Sequence, residues 1–304
     1  MRLPTLVIHG GAGRALSGGG REKKVRHSLQ VILDELWEQL VGGATALDIA
    51  RRGCEALEDC EHFNAGLGSA IQSDGQIRMS ASLMDGERAA FSGIINVERV
   101  QNPISLAAVL QEERDRVLDG RGGELLAREL EIAPFDPVVP RRFHEWYEQM
   151  NREQTRDQAD VTAGDADGAQ KEPGMGTVGV TVCDQDGQLA ASTSTGGRGF
   201  ERVGRVSDSA TVAGNYATAR GAVSCTGIGE DITDEALAAR IVVRMEDGME
   251  LRDAVDRCIR EAEQRSRRLA AIAVDDQGRM GWAKTTEVLL AVGRNQKQGT
   301  RWAF

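Results

Sequence analysis

The chain has 304 residues, of which 40% are apolar, and a formal net charge of −10. This length suits one large layered domain or two smaller ones, and the acidic charge argues against nucleic acid or an anionic membrane as a partner. Five cysteines without a CxxC pair argue against a disulfide framework and against a zinc site. The apolar runs fall short of the roughly 18 residues of a membrane span, so we expect a cytoplasmic protein.

The first half of the chain predicts both strands and helices. LPTLVIHGGAG indicates a buried strand at residues 5–9 that runs into a glycine turn. Helical periodicity covers residues 23–40, and a second helix is predicted over 44–59. Residues 63–86 are interpreted as a loop and a hairpin with SDG at its turn, and 89–98 as another strand.

Two or three helices are predicted between residues 103 and 150, and a break in the pattern follows. Residues 151–173 are polar, with one valine as their largest apolar side chain. Such a segment buries too little surface to offset the entropy of ordering it, so it is predicted to be flexible.

The second half restarts with two strands, VGVTVC and QLAAST, joined by the turn DQDG. Helices are predicted over residues 233–247 and 251–265, and a strand begins at 269. Helices and strands come in blocks rather than in regular βαβ units. This arrangement predicts an α+β fold of antiparallel sheets covered by helices.

Thr177 lies at the junction between the polar segment and the first of these strands. A threonine is a poor nucleophile unless a base lies beside it, and its own α-amine serves when it is the first residue of a chain. That amine has a pKa of about 7.7–8, which suits a base at neutral pH. Exposing it requires cleavage after Gly176, whose backbone freedom favours a strained bond. The alternative is an ordinary linker that ends at a strand.

A second hydroxyl is predicted beside Thr177. If Gln185–Gly187 form the hairpin loop, Asp184 faces Gln188 and Thr177 lies opposite residues 194–196, within the run STSTGG. A hydroxyl there could bond to the amine or to the nucleophile. Threonine also favours strands in general, so the run equally fits a solvent-facing strand.

Two further motifs carry candidate chemistry. SCTGIGE, residues 224–230, has a glycine turn before an acidic helix start, which fits an oxyanion hole and, less well, a phosphate turn. In GRVSD, Arg205 and Asp208 could hold the α-carboxylate and the α-ammonium of an amino acid. A surface ion pair is the alternative in a chain with 28% charged residues.

Together these residues resemble the plant-type (type 2) L-asparaginases and isoaspartyl peptidases, a family of N-terminal-nucleophile hydrolases. The matching runs are IHGGAG at 8–13, FNAGLG at 63–68, MDG at 84–86, GTVG at 176–179, TSTGG at 193–197, GRVSD at 204–208 and SCTGIGE at 224–230. They span almost the whole chain in family order, and their combination is far more specific than any one run.

The resemblance implies a single N-terminal-nucleophile domain over residues 1–304, folded as a four-layer αββα sandwich. The precursor would cut itself between Gly176 and Thr177. The products would be an α subunit of residues 1–176, with a flexible tail from about 151 to 176, and a β subunit of residues 177–304. Two such pairs would assemble as a dimer of αβ heterodimers.

The resemblance also implies the substrates and the site residues. Thr177 would attack the side-chain amide of asparagine or the isoaspartyl bond of a β-aspartyl dipeptide, and water would hydrolyse the resulting β-aspartyl ester. Thr195 would orient the nucleophile, Thr226 and Gly227 would form the oxyanion hole, and Asn64 would lie near Thr177. The substrate's aspartyl end would be bound by Arg205, Asp208, Gly227 and Gly229.

The chemistry implied by the resemblance needs no cofactor, but the family binds a structural sodium ion through main-chain carbonyls. The loop LEDCEHFNAGL resembles the sodium loop. Carbonyl oxygens suit a hard cation and leave no side-chain signature. By position the metal ligands would be the main-chain oxygens of Leu57, Glu58, Cys60, Phe63, Ala65 and Leu67.

The chain departs from the family pattern near the expected pocket. Ser80 replaces the usual aspartate, Ser207 replaces a glycine in the substrate loop, and Met175 replaces a frequent histidine before the cleavage site. Residues 266–274 and 283–290 differ as well. Two alternatives to an isoaspartyl peptidase and asparaginase stay open. A glycosylasparaginase-like amidase is the near alternative within the class, and the altered residues between 266 and 290 support a non-catalytic or altered-specificity member of the fold. A phosphate-binding protein is disfavoured because the chain has no GK[ST] motif.

Overall fold

The computed structural model describes residues 3–14, 19–159 and 176–303. In this part of the chain the strands form two sheets, one with the order β12-β11-β1-β5-β6-β2-β3-β4 and one with the order β10-β9-β8-β7. All pairs are antiparallel except β3 with β4. The strands are β1 Thr5–Gly13, β2 Met79–Asp85, β3 Ala90–Val97, β4 Val117–Leu118, β5 Val178–Cys183, β6 Leu189–Thr195, β7 Asn215–Ala217, β8 Gly221–Gly227, β9 Leu269–Asp275, β10 Met280–Lys284, β11 Val288–Asn295 and β12 Gly299–Ala303.

Helices cover the outer face of each sheet. The first sheet packs against α1, α2, α3 and α4, and the second against α7 and α8. The resulting layers confirm the predicted αββα sandwich. The helices are α1 Gly19–Val41, α2 Ala46–Glu58, α3 Pro103–Val109, α4 Gly120–Glu129, α5 Pro140–Ala159, α6 Gly229–Glu235, α7 Leu237–Glu246 and α8 Leu251–Gln264. Within the described residues, no helix is long and apolar enough to cross a membrane.

Three apolar clusters fill the spaces between the layers. Large side chains such as Leu29, Leu33 and Ile49 pack between the first sheet and its helices. The space between the two sheets is filled largely by small residues, among them Ala191 and Ala222. Small side chains let two sheets approach closely, which brings polar groups of facing strands within hydrogen-bond distance.

The central hairpin confirms the predicted register. Val178 pairs with Ser194 and Cys183 with Leu189, so Thr177, one residue before β5, continues the register opposite Thr195. Asp184 accepts hydrogen bonds from the amides of Asp186 and Gln188 (3.0 and 2.9 Å), which closes the turn. The turn chemistry and the alternating pattern were sufficient to fix this pairing.

The N-terminal strand is longer than predicted, and the predicted hairpin over residues 63–86 is wrong. β1 continues to Gly13 after a bulge between His9 and Ala12, because β11 offers pairing partners as far as Val288. The SDG turn lies in an irregular loop before β2. β2 pairs instead with β3 and β6, both distant from that turn.

Two predicted helix boundaries are also wrong. The helix predicted over 233–247 is divided at Ala236, whose φ of +45° is left-handed, and the first amides of α7 donate to the main chain at residues 212 and 213. Residues 151–159, predicted as the start of a flexible tail, continue helix α5. Glutamine, glutamate and arginine favour helices, and the Arg152–Glu148 pair adds support one turn earlier. Residues 160–175 of the predicted tail, which include Met175, lie outside the described residues.

Candidate active site

Thr177 lies at the edge of the central sheet and lines a cavity of about 490 Å³. The sequence places it directly before β5, so its side chain lies at the end of the strand rather than within the sheet. Its side chain is 7% exposed. A hydroxyl in this position combines the low dielectric of a buried group with access to a ligand in the cavity.

The hydroxyls of Thr177 and Thr195 meet across the hairpin. Thr177 Oγ1 donates to Thr195 Oγ1 at 3.3 Å, and the Gly197 amide donates to the same oxygen at 3.2 Å. Thr195 therefore accepts two hydrogen bonds and is held in one orientation. Ser80 is the register partner of Thr195 on the neighbouring strand β2.

Asn64 lies near Thr177 and is hydrogen-bonded to two segments of the main chain. Its Nδ2 donates to the Gly197 carbonyl at 2.6 Å, and its Oδ1 accepts from the Ala70 amide at 2.7 Å. A Cβ atom at Gly176 would lie 3.3 Å from Asn64 Nδ2. The structure thus brings Asn64 beside the Gly176–Thr177 bond.

A polar layer lies behind Thr177 between the two sheets. His9 Nε2 and Ser224 Oγ are hydrogen-bonded at 3.0 Å, and Ser224 Oγ is 2.6 Å from Thr193 Oγ1. Gly179 leaves room for this layer, since a side chain there would strike both His9 and Ser224. Burial lowers the pKa of His9 to about 3, and a main-chain contact with Thr177 opposes this only in part. His9 is therefore neutral, and its Nε2 bonds to a serine rather than to the Thr177 hydroxyl.

Thr226 and Gly227 end strand β8 beside the cavity. The Ala12 amide donates to Thr226 Oγ1 at 3.2 Å, which leaves the Thr226 hydroxyl proton free to point elsewhere. Gly227 lines the cavity with a φ of +138°. A side chain at Gly227 would strike the main chain of β9, so glycine is required there.

Arg205, Asp208 and Gly229 meet at one wall of the cavity. Arg205 makes a bidentate ion pair with Glu230 (2.7 and 3.0 Å), which orients the guanidinium and lowers the pKa of Glu230 to about 2. A Cβ atom on Gly229 would lie 2.6 Å from Arg205 Nη2 and 2.8 Å from Asp208 Oδ1. The two charged groups can therefore approach each other only because residue 229 is glycine.

Asp208 is a buried carboxyl group with an unsatisfied oxygen. Its side chain is 3% exposed, and Oδ2 has no hydrogen-bond partner among the described residues. Burial raises the pKa of Asp208 to about 7, although the nearby Arg205 charge lowers it. A buried acceptor without a partner is costly, so a cationic group of a ligand beside this carboxyl group would be favoured.

Two of the serines that depart from the family pattern contribute to the same region. Ser207 lines the cavity, and its buried hydroxyl has no partner among the described residues. Ser80 Oγ accepts from the Asn96 amide at 3.0 Å, and Asn96 Nδ2 donates to the Arg205 carbonyl at 2.9 Å. Ser80 thus supports the Arg205 loop through Asn96, which is outside the cavity lining.

The altered C-terminal segments also reach the cavity. Arg268 and Thr286 line it. The Arg268 carbonyl accepts from the Ile228 amide at 2.9 Å, and the Arg268 amide donates to Asp231 at 2.8 Å. These segments therefore form part of the wall beside Gly227, as the sequence predicted.

The loop predicted to bind sodium folds back on itself. The Glu58 carbonyl accepts from the Leu67 amide at 2.7 Å, and the Cys60 carbonyl accepts from the Phe63 amide at 3.1 Å. Gly66, with φ of +50°, lets the chain pass directly over Glu58. Each carbonyl keeps a second lone pair, so the loop can still offer oxygen ligands to a cation. The other predicted ligands in this loop are Leu57 and Ala65.

The sequence interpretation missed the contribution of helix α5 to the cavity. Arg142 and Trp146 of this helix line it, as do Ile71 and Phe200 from two loops. The run PRRFHEW carries both an arginine pair and aromatic residues, which is the signal that was available. It could not be assigned to the site because it belongs to none of the runs that match the family, and no local pattern shows which segments the helix packs against.

An αββα sandwich with a threonine at the start of a central strand, facing a cavity, is the architecture of the N-terminal-nucleophile hydrolases. The chain belongs to the asparaginase family, whose model matches residues 2–303.

Relatives that match nearly the full chain agree with this assignment. An isoaspartyl peptidase/L-asparaginase of Nostoc sp. is 50% identical over 95% of this chain and 91% of its own length. An isoaspartyl peptidase/L-asparaginase of Synechocystis sp. is 49% identical over 95% of this chain and 87% of its own length. The isoaspartyl peptidase of Escherichia coli is 35% identical over 94% of this chain and 91% of its own.

Proposed function

We propose that this protein is a self-processing threonine hydrolase that cleaves β-aspartyl peptides and the side-chain amide of L-asparagine. The observation that carries the proposal is the Thr177–Thr195 hydroxyl pair in one cavity with Arg205 and Asp208. The names of the relatives support the same substrates. The test is to incubate the purified protein with asparagine and with a β-aspartyl dipeptide and to measure released aspartate. Release from neither would refute the proposal.

The first reaction is cleavage of the chain itself. Thr177 Oγ attacks the Gly176 carbonyl carbon, the Gly176–Thr177 C–N bond breaks, and the nitrogen takes a proton to become an amine. Water then hydrolyses the Gly176 ester and frees the hydroxyl. Asn64 lies beside Gly176, and its hydrogen bond to the Gly197 carbonyl fixes this polar side chain next to the bond that is cut.

In the mature protein the freed amine acts as the base. It takes the proton of the Thr177 hydroxyl while the oxygen attacks the substrate's β-carbonyl, and the proton then passes to the departing amine. In this mechanism Thr226 and Gly227 stabilise the negative oxygen, and each such hydrogen-bond donor raises the rate by about 10²–10³-fold. Water hydrolyses the β-aspartyl ester to give aspartate. The chemistry requires no cofactor.

Arg205→Ala is expected to weaken substrate capture while self-cleavage continues. The scissile bond after Gly176 has no free α-carboxylate, so processing does not use this guanidinium. Loss of a charge-assisted hydrogen bond should lower kcat/KM by about tenfold to a hundredfold, mainly through KM. A denaturing gel and steady-state kinetics measure the two effects.

Arg220→Ala is the matched control for Arg205→Ala. It removes an arginine that pairs with Asp276 and is outside the cavity lining. We expect unchanged kinetics in this control. If Arg205→Ala also stopped processing, Arg205 would have a structural role and its assignment to the substrate would be wrong.

We propose further that the loop from Leu57 to Leu67 holds a sodium ion through main-chain carbonyls. The folded-back loop and the close passage of Gly66 over Glu58 support this proposal. Replacing NaCl by choline chloride at equal ionic strength should lower the melting temperature, because an ion that binds only the folded state stabilises it. An unchanged melting temperature would contradict the proposal.

Assembly as a dimer of αβ heterodimers, the cytoplasmic location and the absence of nucleic-acid and membrane partners remain proposals drawn from the sequence. The exposed aromatic side chains Phe143 and Tyr147 of α5 are compatible with a subunit contact. A glycosylasparaginase-like amidase and a non-catalytic member of the fold have no specific structural observation in their favour.

A further inference from the structure

The cavity extends well beyond the groups that bind an aspartyl moiety. Its volume of about 490 Å³ lies in the range that holds drug-sized ligands, which are larger than one amino acid. Arg205 and Asp208 occupy one wall. Helix α5 and two loops form another, and the reaction proposed above assigns no task to that wall.

Arg142 of helix α5 carries an unsatisfied donor on this second wall. Its side chain is 4% exposed, Nε donates to the Gly68 carbonyl at 2.6 Å, and Nη1 donates to Glu145 at 3.0 Å. Nη2 is buried without a hydrogen-bond partner among the described residues. Burial lowers the pKa of Arg142 to about 10, so the group is still charged at neutral pH. A buried cationic donor without a partner is costly, which points to an anionic ligand.

Charges of both signs surround Arg142. Arg21 and Arg141 lie close enough to lower the pKa of Arg142, and Glu145 opposes them. Arg141 pairs with Glu145 at 3.0 Å and is outside the cavity lining, to which helix α5 contributes Arg142 and Arg152 together with Glu145, Glu148 and Glu153. Helix α5 therefore brings no excess of positive charge to this wall, and the group that favours an anionic ligand is Arg142 Nη2, which has no partner among the described residues.

Apolar side chains lie beside this donor in the same cavity. Ile71, Phe200 and Trp146 line it. The Trp146 ring is fixed, because its Nε1 donates to the Gln72 carbonyl at 2.9 Å. The Phe200 amide donates to the Ile71 carbonyl at 2.8 Å, which joins the two loops. The wall therefore combines one cationic donor with an ordered apolar surface.

We propose that this wall is a leaving-group subsite, at which Arg142 Nη2 donates to the free α-carboxylate of the residue joined to the β-aspartyl group. Ile71, Phe200 and Trp146 pack against the apolar side chain of that residue. The inference rests on the proposed function and specifies its substrate: a β-aspartyl dipeptide with an apolar second residue. Asparagine releases only ammonia and has no group that reaches Arg142.

The test compares three substrates on the mature wild-type protein: β-aspartyl-leucine, its C-terminal amide, and asparagine. The amide keeps the side chain but lacks the carboxylate that Arg142 would bind. We expect the acid to exceed the amide in kcat/KM by about tenfold to a hundredfold, as for loss of one charge-assisted hydrogen bond. This comparison needs no variant and does not depend on how a substitution folds.

Arg142→Gln should reduce the ratio of acid to amide to near one. Arg141→Gln is the matched control, because it removes a charge from the same helical turn but no cavity-lining donor, and it should keep the ratio. Equal cleavage of acid and amide by the wild type, or an unchanged ratio in Arg142→Gln, would overturn the subsite alone. Failure to hydrolyse any of the three substrates would overturn the proposed function as well.

Discussion

Thr177→Ala should leave the protein as one uncut chain and abolish hydrolysis. The variant lacks the hydroxyl that attacks the Gly176 carbonyl, so no new amine is formed, and the residue that would attack the substrate is missing too. Loss of a nucleophile lowers kcat by up to about 10⁶-fold in a well-studied serine hydrolase. Intact-mass spectrometry measures processing, and aspartate release from asparagine measures turnover.

Thr181→Ala is the matched control for this experiment. Thr181 lies on the same strand, and its buried hydroxyl has no hydrogen-bond partner among the described residues. Its removal should leave both processing and activity intact. If Thr177→Ala still divided into fragments that end at residue 176, another group would perform the cut and the proposed mechanism would be wrong.

Asp208→Asn should stabilise the empty protein while it weakens the substrate complex. Burial raises the pKa of Asp208 to about 7 in the folded protein, whereas the ordinary value is 3.8. Between these values the folded state holds a proton that the unfolded state has lost. The free energy of unfolding therefore falls as pH rises through this window, by about 4 kcal/mol in total. The Asp208→Asn variant has no carboxyl group at this position, so its free energy of unfolding does not fall in this way as pH rises.

The measurement is urea unfolding at pH 5 and pH 8, with Thr177→Ala as the background so that every protein is a single chain. The stability gained by Asp208→Asn should be about 3 kcal/mol larger at pH 8 than at pH 5. The pH 5 data provide the internal control, since Asp208 is then mostly protonated in the folded state. A gain that does not change with pH would contradict the burial argument.

Asp208→Asn should lower kcat/KM, although it raises the stability of the empty protein. The ionised carboxylate pairs with the substrate's α-ammonium, so the rise in wild-type kcat/KM that comes from Asp208 losing its proton near pH 7 should be missing in the variant, while the rise from deprotonation of the Thr177 amine at about pH 7.7–8 remains. In the mature variant, kcat/KM at pH 8 should fall by about a hundredfold, because the ammonium then lacks a buried anionic partner. Wild-type values for asparagine at pH 8 would show that the substrate binds elsewhere.

The hairpin shows how much of the site could be predicted from local sequence. Turn residues and a period of two are local properties, and they were sufficient to place Thr177 opposite Thr195. The Arg205 and Asp208 pair was predicted from spacing and resemblance. Its geometry was not, because Gly229 and Glu230, which shape and orient it, come from a different element.

Two of the wrong predictions share one cause. Pairing of β2 with β6 overrode the nearer SDG turn, and contacts with residues 212 and 213 divided the helix at Ala236. In each case a contact distant in sequence outweighed a local preference. Local patterns report propensities of tenths of a kcal/mol to about 1 kcal/mol per residue, which tertiary packing readily exceeds.

The sequence by itself determined the layered α+β class, the central hairpin register and the position of Thr177 at a strand start. These follow from periodicity and turn chemistry, which act over a few residues. Only the tertiary structure decided the pKa of Asp208 and the unsatisfied donor of Arg142. Desolvation and the loss of hydrogen-bond partners depend on which distant segments close over a group, and no local pattern records that.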